Sequence, residues 1–213
     1  MSSLRNLCIA AILLPCWASA EPAPPADPAA TRAAALERLK VLKVRFDPQS
    51  LHSAAMDAEA DLVATLLDAG LDPNASGVIG PAIQSALSCE GRPADPEQRL
   101  ATVEVLLAHG ADATWHDGNR NNLLMSAVAC PPAVVERLLA AGAKIDEQNV
   151  LGFGPLEGAL IRGKWAVAEL LIRQGARVTQ AEVDQIFFEL PSDSEKRAIL
   201  ARATGPRDAP ANN

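Results

Sequence analysis

Four times in this chain of 213 residues a Leu-Leu pair is followed within a few residues by glycine: Leu66-Leu67 by Gly70, Leu106-Leu107 by Gly110, Leu138-Leu139 by Gly142, and Leu170-Leu171 by Gly175. Alanine follows the last three of these glycines, as Ala111, Ala143 and Ala176. The glycines recur after 40, 32 and 33 residues (70 to 110, 110 to 142, 142 to 175). Self-similarity near 33 residues marks stacked helix-turn-helix units joined by a β-turn. Such a unit cannot bury its apolar face alone, so its neighbours must cover it. The pattern therefore predicts an all-α stack and places function on a surface rather than in one pocket.

The first twenty residues read as an export signal. Arg5 supplies the positive start, Leu7 to Leu14 the short apolar run, and Ala18-Ser19-Ala20 a small-residue cleavage site. The mature chain is then expected to begin near Glu21. Cys16 invites a lipoprotein reading, but Pro15 stands where a lipobox needs a small residue. No other apolar stretch is long enough to span a bilayer, which predicts a soluble periplasmic protein, or alternatively a secreted one. The formal net charge of −7 becomes −8 once Arg5 leaves with the leader. With no Lys/Arg stripe and no row of stacking aromatics, this acidity argues against nucleic acid. It argues equally against anionic membrane surfaces. Cys8 and Cys16 leave too, so Cys89 and Cys130 remain; an even pair in an oxidising compartment invites a disulfide.

The chain divides into a signal peptide (1–20), a Pro/Ala-rich tether (21–28), an N-terminal capping helix (29–46), four repeat units (47–179), C-terminal capping helices (180–203) and a flexible tail (204–213). Asp27-Pro28 reads as an N-cap followed by a first-turn proline. Leu36, Leu39 and Leu42, with Val41 beside them, give the first helix an apolar side, and Arg32, Glu37, Arg38 and Lys40 face elsewhere. Near the other end, Thr179…Glu182 and Ser192…Glu195 each fit a capping box on either side of Pro191. Val183, Ile186, Phe187 and Leu190 form an apolar face there, and Phe187 and Phe188 read as packing residues.

The fourth unit is the clearest: Gly154-Pro155-Leu156-Glu157-Gly158-Ala159-Leu160, then Gly163-Lys164, Val167, Leu170-Leu171 and Gly175-Ala176. Pro155 can open the inner helix because the first turn has no use for its missing N–H. Ala159 keeps that helix slim, Gly163 permits the reversal, and Gly175 ends the outer helix in the left-handed conformation. These residues resemble the ankyrin repeat, whose pattern runs Thr-Pro-Leu-His-x-Ala-Ala, Gly-His, Val-Val, Leu-Leu, Gly-Ala-Asp-x-Asn. The first unit matches through Leu51-His52-Ser53-Ala54-Ala55, Leu66-Leu67 and Gly70-Leu71-Asp72-Pro73-Asn74. The second offers Pro81, Ala86, Val103 and Gly110-Ala111-Asp112, and the third Asp117, Leu124, Ala127 and Gly142-Ala143. The resemblance implies an all-α ankyrin solenoid of four repeats, capped at both ends. Two departures stand out: the hairpin between the first two units is two residues short, and the second unit holds an insertion of nine around Cys89 to Pro96. Proline and glycine place that insertion in a loop between its two helices.

Candidate chemistry is sparse. The chain has three histidines and no tyrosine. His52 fills the motif's histidine slot, where ankyrin repeats use the imidazole structurally. His109 sits in the last turn of an outer helix, where its partial charge suits the dipole. His116 lies beside Asp117 in a finger, but a metal site wants three or four ligands, and Asp117, Gly118 and Asn121 are also ordinary turn formers. Aligning the repeats places Cys89 and Cys130 just past the inner helices of neighbouring units. Equivalent positions in adjacent repeats lie farther apart than a disulfide tolerates, and the irregular loops at Glu90 to Pro96 and Pro131-Pro132 would have to close the gap. A bond is expected, with two buried thiols as the alternative.

Carried over position by position, the concave face of an ankyrin array comprises Trp115, His116, Asn119, Arg120, Asn121, Met125 and Ala129 from the third unit. The fourth contributes Val150, Leu151, Phe153, Glu157, Ile161 and Arg162. Val150, Leu151 and Phe153 either pack on the neighbouring finger or anchor a partner, and Trp115 on the adjacent finger favours the second. Replacing Trp115 and Leu151 by alanine is then expected to weaken binding and leave thermal stability nearly unchanged. The expected function is non-catalytic recognition of another protein by a monomer, with no cofactor, no metal, no nucleic acid and no membrane insertion after signal cleavage. It would neutralise an effector or support an envelope enzyme. The alternatives are an enzyme or metal-dependent protein with a site near His109 and His116, and a purely structural spacer.

Overall fold

Asp followed by Pro starts three of the helices in the same way. Asp27, Asp47 and Asp95 each accept a backbone N–H of the first turn, from Ala29, Ser50 and Glu97, while Pro28, Pro48 and Pro96 occupy the first helical position. The proline ring fixes φ at a helical value where its missing donor costs nothing. The computed structural model describes residues 27–77, 79–91, 95–187 and 191–205. Among them lie eleven helices and no strand: α1 (Pro28–Leu42), α2 (Pro48–Met56), α3 (Ala60–Asp68), α4 (Ala82–Ala86), α5 (Pro96–Ala108), α6 (Leu123–Ala127), α7 (Pro132–Ala140), α8 (Pro155–Ile161), α9 (Trp165–Arg173), α10 (Gln180–Ile186) and α11 (Ser194–Ala203).

The recurring Leu…Gly-Ala spacing has a local cause. Gly70, Gly110, Gly142 and Gly175 all take left-handed φ values, between 86 and 103°. The residue after each donates back to a leucine carbonyl five positions earlier: Leu71 to Leu66, Ala111 to Leu106, Ala143 to Leu138 and Ala176 to Leu171. This is the six-to-one bond of a Schellman cap, which satisfies carbonyls the helix end leaves open. It also sets the register of the fourth copy at Leu171-Ile172 rather than Leu170-Leu171.

The helices form two rows. Within hairpins, α2 packs on α3, α4 on α5, α6 on α7 and α8 on α9. Along the outer row α1 meets α3, which meets α5, then α7, α9 and α11; along the inner row α2 meets α4, and α6, α8 and α10 follow one another. From α4 to α6 the Gln84 amide donates to the Ser126 hydroxyl at 3.0 Å. Ala55, Ala86, Ala127 and Ala159 are wholly buried, so the inner helices approach without a side chain between them. Leu66, Leu106, Leu138 and Leu171 are buried with them in one continuous core. At the C-terminal end Trp165 stacks on Phe187 at 6.0 Å, and the Lys196 ammonium lies 5.6 Å from the Trp165 ring centre.

Several expectations are corrected. The first helix stops at Leu42, not 46, because Lys43 turns left-handed at φ 57° and its N–H caps Leu39 and Lys40. Its apolar side is only partly covered: Leu39 is buried, but Val41 is 81% and Leu42 50% exposed. The insertion is not all loop. Asp95-Pro96 starts α5 ten residues before Leu106, whereas α3 starts six before Leu66, so four inserted residues lengthen the outer helix. The cap of α11 is Asp193, not Ser192. Thr204 and Gly205 are tied down at Val178, whose N–H donates to the Ala203 carbonyl and whose carbonyl accepts from Gly205. The export signal, the tether through Ala26, Arg92 to Ala94, Phe188, Leu190 and the tail from Pro206 lie outside the described residues.

Candidate functional site

The finger before α6 is folded around one carboxylate. Asp117 accepts the N–H groups of Asn119 and Asn121, each at 2.8 Å, and the Asn121 side-chain amide at 2.9 Å. Its own N–H donates to the Asn121 carbonyl, and His116 pairs with Asn122 across the turn. Burial pushes the Asp117 carboxyl up. The hydrogen bonds from the Asn121 side chain, then from the Asn121 and Asn119 amides, outweigh it and hold the group below its ordinary value of 3.8. Arg120 accepts a left-handed φ of 61° to close the turn.

The finger before α8 repeats the device with an amide. The Asn149 side-chain oxygen accepts from the N–H groups of Leu151 and Phe153 at 2.9 and 3.1 Å. Its nitrogen donates across to Asn121 at 2.9 Å, and the Val150 N–H donates to the Asn119 carbonyl at 3.0 Å. The two fingers are thus one hydrogen-bonded plate, with Glu147 4.0 Å from Arg120 beneath it. At its tip Val150 is 61% and Leu151 75% exposed. Neither side chain is covered by the neighbouring finger, and Phe153 is half-buried.

Asn119, Arg120, Asn121, Val150 and Leu151 therefore come together, with exposed His116 beside them. Ile161 and Arg162 do not join the tip. They stand at the far end of the seven-residue α8, about 10 Å from its start at the helical rise. There Arg162 pairs with Glu90 at 3.5 Å. Met125 and Ala129 are half-buried, and Glu157 is fully buried, its carboxylate capping the Gly154 N–H at 3.1 Å. Trp115 is also committed to packing. Its ring covers Gly80, where an added Cβ would come within 2.7 Å of it, and it rests against the core. Truncating it therefore has a structural cost, contrary to the sequence expectation.

The histidines go separate ways. His52 is buried and its Nδ1 meets the Ser85 hydroxyl of the next inner helix at 3.0 Å. His109 bridges the Val105 carbonyl and the Asp68 carboxylate. His116 contacts the Asp117 carbonyl. Among the described residues no three His, Cys, Asp or Glu side chains gather as a metal ion requires, and no helix is long and apolar enough to cross a membrane.

Cys89 and Cys130 are bonded, with their α-carbons 5.2 Å apart. The bond ties the end of the second inner helix to the end of the third. Beside it sits a residue that the repeat pattern does not reveal. Arg99, on the added turn of α5, is 2% exposed, and one guanidinium nitrogen donates to the Ala55, Met56 and Ala86 carbonyls at 3.2, 3.0 and 2.9 Å. It closes the ends of α2 and α4 together. Asn74 does similar work on the other side, donating to the Gly110 carbonyl and accepting from the Asp112 N–H. No family model matches this chain.

Proposed function

We propose that hairpins α2 to α9 form an ankyrin-type solenoid of four repeats, exported to the periplasm, that recognises another protein without catalysis. The fold side of this reading is supported by the four Schellman caps at a near-33-residue period and by the two helical rows. Export is supported by the apolar Leu7 to Leu14 run, the Ala18-Ser19-Ala20 site and a disulfide suited to an oxidising compartment. The partner is a toxic effector to be neutralised or an envelope enzyme to be supported, and the protein itself acts as a monomer.

One observation carries the functional side: Val150 and Leu151 are held in water by a finger whose N–H groups from Asn149 to Phe153 all find acceptors within the two fingers. Ordering two apolar side chains outside the core brings no folding benefit. Presented rigidly to a partner, they bind without the entropy cost of organising a loop. Apolar anchors surrounded by polar groups such as Asn119, Arg120 and His116 are how interfaces concentrate affinity.

A photo-crosslinking residue at Leu151 in cells, compared with one at Ala166 on the exposed start of α9, tests this. Capture of a defined protein from position 151 alone, lost on Val150→Asp, is expected. Equal capture from both sites, or none from 151, refutes the reading.

A further inference from the structure

The finger tip is not the only place where large apolar side chains meet water. Val41, Leu42 and Phe46 form a second exposed group at the end of α1, remote in sequence from the fingers. Beside it opens a groove of about 880 Å³, to which α1 contributes Arg38 and Leu42, the segment after it Val44, and the α2–α3 turn and α3 contribute Glu59, Asp61 and Leu62. The lining mixes the aliphatic side chains of Leu42, Val44 and Leu62 with three carboxylates, Asp57, Glu59 and Asp61, and one guanidinium, Arg38.

We propose that this groove is a second docking site, for a basic amphipathic helix of a partner protein. Its open form argues for a polymer segment, since small-molecule sites enclose most of their ligand. The charge selects among polymers. Glu59 and Asp61 repel anionic lipid headgroups, and a second copy of this chain would bring acidic rims face to face. A helix with leucines on one stripe and lysines or arginines flanking it matches the aliphatic Leu42, Val44 and Leu62 and the carboxylates of Asp57, Glu59 and Asp61. Arg38 leaves only one edge of the groove acidic, so the cationic flank of the bound helix faces α3.

The backbone at this site is strained where a binding role would keep it so. Ala58, which also lines the groove, holds a left-handed φ of 61° in the α2–α3 turn, the place where the fourth hairpin uses Gly163. An L-residue there costs free energy that glycine would spare.

The test uses the full chain and two synthetic peptides of about 14 residues, roughly four helical turns. One carries a leucine stripe flanked by lysines, the other glutamates at the lysine positions. The lysine peptide should bind at least about tenfold more tightly than the glutamate peptide, and amide shift changes should map to residues 38–62. Leu42→Asp should abolish binding while the circular dichroism melt stays within about 2 °C, because the side chain already stands half in water. Glu59→Lys with Asp61→Lys should invert the preference; Glu59 makes no capping bond, so the helix survives. Equal binding of both peptides, no binding of either, or shifts centred on Val150 and Leu151 would overturn the proposal. So would a concentration-dependent dimer dissolved by Leu42→Asp, which would give the groove to a second copy.

Discussion

Removing the disulfide should destabilise the protein without changing its folded shape, and the size of the loss can be worked from the chain. Cys89 and Cys130 are 41 residues apart. Cross-linking a loop of that length removes about 13 cal/mol/K of entropy from the unfolded chain, or about 4 kcal/mol at 25 °C. Residual structure in the unfolded state lowers the figure, so a loss of about 2–4 kcal/mol is expected. For a domain of this size that shifts the midpoint by about 5–15 °C. The assay is urea unfolding followed by far-ultraviolet circular dichroism, on the oxidised chain and on Cys89→Ala/Cys130→Ala. The variant should show the same spectrum at zero denaturant, an earlier midpoint and a steeper dependence on urea, because its unfolded state exposes more surface. A loss under about 1 kcal/mol with an unchanged slope would refute the argument.

Arg99→Met should cost about 3–5 kcal/mol in the same assay, because it strips a charged donor from three carbonyls, those of Ala55 and Ala86 being buried; Arg99→Lys should recover only part, since an ammonium lacks the planar fork. Gly142→Ala should cost about 1 kcal/mol for placing a side chain at φ 97°, while Gly118→Ala, at an ordinary φ with open space around it, should change melting little. Because the Asp117 carboxyl sits below its ordinary value when folded, its contribution is present above 3.8 and lost as pH falls through the lower folded value. Protection of the Asn119 and Asn121 amides from exchange, taken relative to the intrinsic rate at each pH, should therefore fall in acid, and Asp117→Asn should remove that dependence. Trp115→Ala should lower stability by about 2 kcal/mol through the contact over Gly80, and an unchanged melt would show that the ring is not packed.

What could be read from the chain depended on how local its cause was. The glycine after each outer helix is demanded by a bond five residues long, so Gly70, Gly110, Gly142 and Gly175 announce themselves, as do Asp27-Pro28 and the Thr179…Glu182 box. Arg99 was silent because its acceptors lie 13, 43 and 44 residues away. The insertion could be counted but not shaped: Pro and Gly suggested a loop, whereas Asp95-Pro96 began another turn of helix. That Asp-Pro pair is identical in kind to Asp27-Pro28, so the helix start was written locally but masked by the loop-forming residues just before it. The surface was half legible. Leu151 stands out in the chain and in the fold, but whether Trp115 faces solvent depends on the gap that Gly80 leaves beneath it. The groove beside Leu42 required knowing that the first helix ends early.

The covalent link between Cys89 and Cys130 has a mechanical consequence. If the ends of the chain are pulled apart, the segment between the two sulfurs cannot be drawn out, which withholds roughly 140 Å of extended length until a reductant cuts it. The hairpins on either side can unravel while the middle of the molecule keeps its length.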